Sequence, residues 1–116
     1  MITKIMKRDR TIVDFDATYI YEAVKKAARE VYVLDDALLE KLAAITKNAV
    51  LDLAASETDG LTSINSVQAA VERRLIADGY VKIAESYIRY RIQREIDRAN
   101  LPVTVRLKLE NEISED

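Results

Sequence analysis

The chain contains no cysteine, no histidine and no tryptophan. Without thiols or imidazoles there can be no zinc ribbon, no thiol nucleophile, no imidazole base and no His-ligated metal. Only two glycines and one proline occur. Two separated glycines cannot build a glycine-rich phosphate loop, and no G-x-x-x-x-G-K run exists, so fixed cations and helix N-termini must hold any bound phosphate. No run approaches the ~18 consecutive apolar residues of a membrane span, and no signal-type apolar core follows Met1. A net charge of −2 is unlike the strongly basic balance of a general nucleic-acid binder. The expectation is a cytoplasmic domain that partners neither nucleic acid nor membrane.

What is present suits a single domain. The chain has 116 residues, 49% hydrophobic and 33% charged, enough for one buried core and a solvated surface. Residues 3–7 and 11–15 are short β-prone runs around the polar turn Arg8-Asp9-Arg10, which predicts a hairpin. Asp16 is placed to cap a helix whose inner face carries Ile20, Ala23, Val24, Ala27 and Val31. A second helix follows Asp35-Asp36, with Leu38, Leu42, Ile45, Ala49 and Leu53 on one stripe. Ser56 to Gly60 reads as a loop, and Leu61-Thr62-Ser63 as a third strand of the cap. Asn65, with Gln68 three residues on, predicts the cap of a third helix lined by Ile64, Val67, Val71 and Leu75 and ended by Asp78-Gly79. A fourth helix over 80–99 repeats Ile83, Ala84, Tyr87, Ile88, Ile92 and Ile96. The predicted fold is α+β, mainly α: a β-hairpin or three-stranded cap on a four-helix bundle spanning residues 1–100. Residues 101–116 are expected to be a linker or the start of a following domain. Within them 103–109 alternate as a strand would, and Glu110, Glu112, Glu115 and Asp116 make an acidic tail expected to be disordered.

Three segments carry a family resemblance. Ile5-Met6-Lys7-Arg8-Asp9, followed by Val13-Asp14-Phe15-Asp16 and Ile20, resembles the opening of an ATP-cone. Ile64-Asn65-Ser66-Val67-Gln68-Ala69-Ala70-Val71-Glu72 is similar to the family's I-x-x-I-Q-x-x-V-E. Ala84-Glu85-Ser86-Tyr87-Ile88-Arg89-Tyr90-Arg91, with Arg94 after it, resembles the A-x-x-Y-I-x-Y-R ending. Order and spacing agree over about residues 3–98, and the ends look most like anaerobic ribonucleoside-triphosphate reductases. The resemblance implies a regulatory domain cut from such an enzyme. Its allosteric ligand is ATP or dATP, carried with Mg2+, and it controls overall activity through contacts with the catalytic domain or a nucleotide-dependent oligomer. Catalysis belongs to a separate domain. The chain departs from the pattern where the family's turn glycine is Arg10 and where a lysine before Ile20 is Tyr19.

The residues themselves support an anion pocket. Residues 1–10 carry a local net charge of +3 and residues 80–98 one of +2, within an acidic chain. With the resemblance, Lys7, Arg8 and Arg94 become the candidate phosphate ligands. Arg91 either joins them or braces the bundle through a salt bridge. Val13 and Ile20 are candidates to line the base. Tyr90 either stacks near it or belongs to the core, and Gln68 either contacts base or sugar or caps its helix. No catalytic set and no metal site is evident. The rival reading, motivated by Arg10 and Tyr19, is a degenerate cone kept as a helical interaction module without nucleotide.

Overall fold

A computed structural model describes residues 1–100, and the expectations for 101–116 lie outside them. The elements run β1 (Lys4–Met6), β2 (Ile12–Asp14), α1 (Ala17–Arg29), α2 (Asp36–Ser56), β3 (Leu61–Ser63), α3 (Ile64–Ala77) and α4 (Val81–Ala99). The expected cap and four helices are both present, and the cap is three-stranded.

The sheet has the order β2-β1-β3, antiparallel between β1 and β2 and parallel between β1 and β3. The hairpin turn is held by Lys7 and Thr11, whose backbone N–H and C=O pair at 2.8 Å, and by Asp9, whose carboxylate accepts from the Thr11 N–H at 2.9 Å. That hydrogen bond holds the Asp9 carboxyl below its ordinary value. Arg10, where the family has glycine, adopts a left-handed φ of 70°, a conformation a β-carbon makes costly. The third strand docks through Gly60, whose C=O accepts from the N–H groups of Thr3 and Lys4 at 2.8 and 3.2 Å. A β-carbon at Gly60 would meet the Met1 carbonyl oxygen at 3.2 Å, so glycine is what allows this close approach.

Three of the four helices start where a side-chain oxygen meets a free N–H, whereas α4 follows Tyr80 with no side-chain cap. Asp16 accepts from Thr18 N–H and Asp35 from Leu38 N–H, at 2.9 and 2.8 Å. At α3 the cap is Ser63 rather than Asn65: its hydroxyl accepts from Ser66 N–H at 3.2 Å. Because β3 runs into α3 without a loop, the last strand residue is the one with extended backbone next to the first helical turn. Gln68 is thereby released from any capping-box role. α1 ends at Arg29, so Val31 lies in the following turn.

The helices pack in a ring, α1 against α2 and α4, α3 against α2 and α4. Their core contains Val24, Ala28, Leu42, Ile45, Ala49, Val71, Leu75 and Ile83, all at most 1% exposed. The expected inner face of α3 is buried in full. The apolar repeat of α4 is buried only in part: Ile83, Ala84 and Tyr87 are buried, whereas Ile92 and Ile96 are 46% and 47% exposed. No helix among the described residues is long and apolar enough to cross a membrane.

Candidate nucleotide site

Helices α1 and α4 meet through small residues. Ala23 and Ala27 on α1 and Ser86 on α4 are buried, but they leave the groove above them unfilled. The β1–β2 turn closes one end. The result is a cavity of about 300 Å³ lined by these residues together with Arg8, Lys26, Arg29, Glu30, Gln68, Tyr87, Tyr90, Arg91, Arg94 and Arg98. That volume is at the lower end of ligand pockets. Among the described residues that line it, six side chains are cationic and one, Glu30, is anionic.

The cations come from three elements. Arg8 projects from the hairpin turn. Its Nη2 donates to Gln68 Oε1 at 3.4 Å and lies 3.7 Å from Glu95, while its Nε is buried with no hydrogen-bond partner among the described residues. A buried donor without an acceptor is costly, and an incoming anion would satisfy it. Arg91 is tied to Glu72 of α3, through Nε at 3.0 Å and Nη2 at 2.9 Å. The bracing role expected for it is therefore realised, although it also lines the cavity. Arg94 lies over the Tyr90 ring, 5.2 Å from its centre, a cation–π contact that fixes the guanidinium at the wall. Arg98 is 7% exposed in the last turn of α4, where a cation also complements the helix dipole. Glu95 stands among Arg8, Arg91 and Arg98, at 3.7, 3.8 and 4.0 Å. It spaces the cations and tempers their mutual repulsion.

A second, smaller cavity of about 50 Å³ lies behind the first, under the sheet. Ile5, Val13, Phe15, Tyr19, Ile20, Ile64 and Val67 surround it, and Gln68 and Tyr87 border both cavities. The candidate residues thus separate. Arg8, Gln68, Tyr90, Arg91 and Arg94 share the large cavity, Val13 and Ile20 share the small one with Gln68, and Lys7 lines neither. Tyr90 is 44% exposed, at the cavity and not in the core.

Residues 3–96 match the family model described as the ATP cone domain. The chain belongs to the ATP-cone family. It is 32% identical over 94 residues to the anaerobic ribonucleoside-triphosphate reductase of Haemophilus influenzae, covering 81% of this chain and 13% of that protein. It is 33% identical over 98 residues to the enzyme of the same name from Escherichia coli, covering 84% and 13%. It is also 31% identical over 103 residues to the ribonucleoside-diphosphate reductase subunit alpha of Chlamydia pneumoniae, covering 83% and 10%. The cone therefore spans only about a tenth to an eighth of the length of these relatives.

Sequence reasoning missed one wall of this cone's cavity. Lys26, Arg29 and Glu30 on the last turn of α1, and Ser86 and Arg98 on α4, were given no role. The available signal was the run Lys25-Lys26-Ala27-Ala28-Arg29-Glu30, which places charge beside small residues at a helix end. Small residues there leave room, and the charges flank it.

Proposed function

We propose that this ATP-cone is a nucleotide-sensing regulatory domain. It takes ATP or dATP in the large cavity and controls the overall activity of the ribonucleotide reductase to which it belongs. The chain itself performs no chemistry; catalysis lies with the reductase's catalytic domain, reached through domain contacts or a nucleotide-dependent oligomer. The observation that carries this reading is the meeting of Arg8 from the hairpin turn with Arg91 and Arg94 from α4 around one cavity. A triphosphate carries roughly three to four negative charges, which Mg2+ partly offsets. The buried Nε of Arg8 and the guanidinium of Arg94 supply counter-charge without a phosphate loop. Arg91, engaged by Glu72, shapes the wall. Tyr90 offers a ring face, and Gln68 offers an amide between the two cavities. Val13 and Ile20 provide an apolar recess. Lys7, in the hairpin turn, adds long-range positive potential at the rim. Among the described residues no cluster of three metal-ligating side chains exists, so Mg2+ would be held chiefly by the phosphates, as is usual for this ion.

Calorimetric titration of the 116-residue chain with ATP, dATP and GTP, each with Mg2+, tests the proposal. Saturable heat is expected for ATP and dATP, with GTP much weaker. Flat traces for all three would replace it with the degenerate cone, an interaction module without nucleotide. Two observations motivate that second reading: the left-handed Arg10, and Tyr19, which borders the small cavity.

A further inference from the structure

Among the described residues Glu30 is the one carboxylate that lines the large cavity, against six cations. It follows the last residue of α1, and its Oε2 accepts a hydrogen bond from Ser86 Oγ at 3.2 Å. Ser86 is 2% exposed, so its hydroxyl is fixed by the packing of α4 against α1. Among the described residues no ion pair engages Glu30, although Lys26 and Arg29 line the same part of the cavity. The carboxylate is therefore oriented through Oε2 by a neutral donor.

A carboxylate in an anion pocket cannot face a phosphate. Where no cation intervenes it is drawn to a hydrogen-bond donor, and a nucleotide has two kinds: the sugar hydroxyls and the N–H groups of the base. The neighbouring cations choose between them. Lys26 and Arg29 sit on the same helical turn as Glu30, so the part of the ligand beside Glu30 adjoins the phosphates. In a nucleotide that part is the sugar. A carboxylate accepting from a ribose hydroxyl is also a recurrent way of reading nucleotide sugars.

We infer that Glu30, positioned by Ser86, accepts the ribose 2′-hydroxyl and is the residue through which this cone distinguishes a ribonucleotide from a deoxyribonucleotide. The inference rests on the proposed nucleotide site and adds to it the group that senses the sugar. A hydrogen bond to a charged acceptor that one ligand makes and the other lacks is worth about a tenfold difference in affinity or more. Because the contact exists only for ATP, it biases whatever conformation ATP favours over the one favoured by dATP.

The test is titration of the wild-type chain, Glu30→Ala and Ser86→Ala with ATP, dATP and the triphosphate of inosine, which lacks the adenine amine. Thermal melts verify that each variant is folded. Glu30→Ala is expected to weaken ATP about tenfold and to leave dATP unchanged, whichever of the two the wild type prefers. Ser86→Ala should shift the ATP-to-dATP ratio in the same direction by less. Glu30→Ala should not alter the ratio of ATP to inosine triphosphate. An unchanged ATP-to-dATP ratio in Glu30→Ala overturns the inference while leaving the nucleotide site standing, and so does equal weakening of both nucleotides, the mark of a purely structural role. A changed ATP-to-inosine ratio assigns Glu30 to the base and overturns it too. Absence of binding to the wild type overturns the site and the inference together.

Discussion

The two halves of α4 are built to different rules. Its first two turns bury Ile83, Ala84, Ser86 and Tyr87 against the bundle. Beyond Tyr87 the buried residue is Arg98, while Ile92 and Ile96 lie half exposed. The apolar period continues unbroken through both halves, but the surroundings change. The first half buries its face in the bundle core, whereas the second reaches α3 through the Arg91–Glu72 pair and runs beside the hairpin turn, where Arg8 approaches Glu95. Helical periodicity reports that a face is apolar; it does not report whether anything covers that face. In this molecule the core ends where the cationic wall begins, part-way along a single helix.

The sharpest way to break this comparison is to truncate one isoleucine from each half. Ile83 is 0% exposed, so Ile83→Ala should cost about 2–5 kcal/mol in urea unfolding. Ile92→Ser should stay within about 0.5 kcal/mol, the range of ordinary surface changes. Equal costs would mean the two halves are alike after all. A smaller effect, of a different kind, is expected at Arg94. Arg94→Ala should leave the unfolding midpoint unchanged yet weaken ATP about tenfold in calorimetry, the scale of a lost charge-assisted contact. Wild-type affinity in that variant would remove Arg94 from the site.

The smallest effect lies on the opposite pair of helices. Arg74 of α3 donates from Nε and Nη2 to Asp52 of α2 at 2.6 and 2.7 Å. The fork holds the Asp52 carboxyl below its ordinary value. With the folded-state value depressed, the stabilisation is fully present above the unfolded carboxylate's pKa, about 3.9. It is lost as pH falls through the lower folded value. Asp52→Asn should therefore lower the melting temperature slightly at pH 7, because the pair is partly exposed and screened, and the gap should close at strongly acid pH. A gap that persists there would show that packing, not charge, joins α2 to α3.

Much of the fold was legible because local chemistry and tertiary packing agree. Asp16 caps the helix it precedes, and the α3 stripe from Ile64 to Leu75 is buried as its spacing predicts. The misses come from effects that are not local. Asn65 looked like a cap because Leu61-Thr62-Ser63 reads as strand, and nothing local shows that its last residue, Ser63, also starts the helix. Ile92 and Ile96 continue the apolar repeat of α4, and spacing alone does not say whether anything covers them. Of the residues that line the candidate cavity, Arg8 and Arg94 stand out in the sequence by motif and charge, and Tyr90 only as one of two alternatives. Glu30 does not, since its role depends on Ser86 of a different helix, and no spacing rule links the two positions.

The parallel pairing of β1 with β3 carries a further consequence. Thr3 and Gly60, which meet across it, are 57 residues apart, so the middle strand of the sheet gains its second neighbour only after α1 and α2 have been made. Closing so long a loop carries an entropic cost that local turns do not. The cap is thus the part of the domain most dependent on distant chain, and Arg8 sits at its tip. A ligand that bridges the cap to α4 binds only the assembled form, and mass action then ties occupancy to the integrity of the whole domain. In this architecture, sensing a nucleotide and completing the fold draw on the same equilibrium.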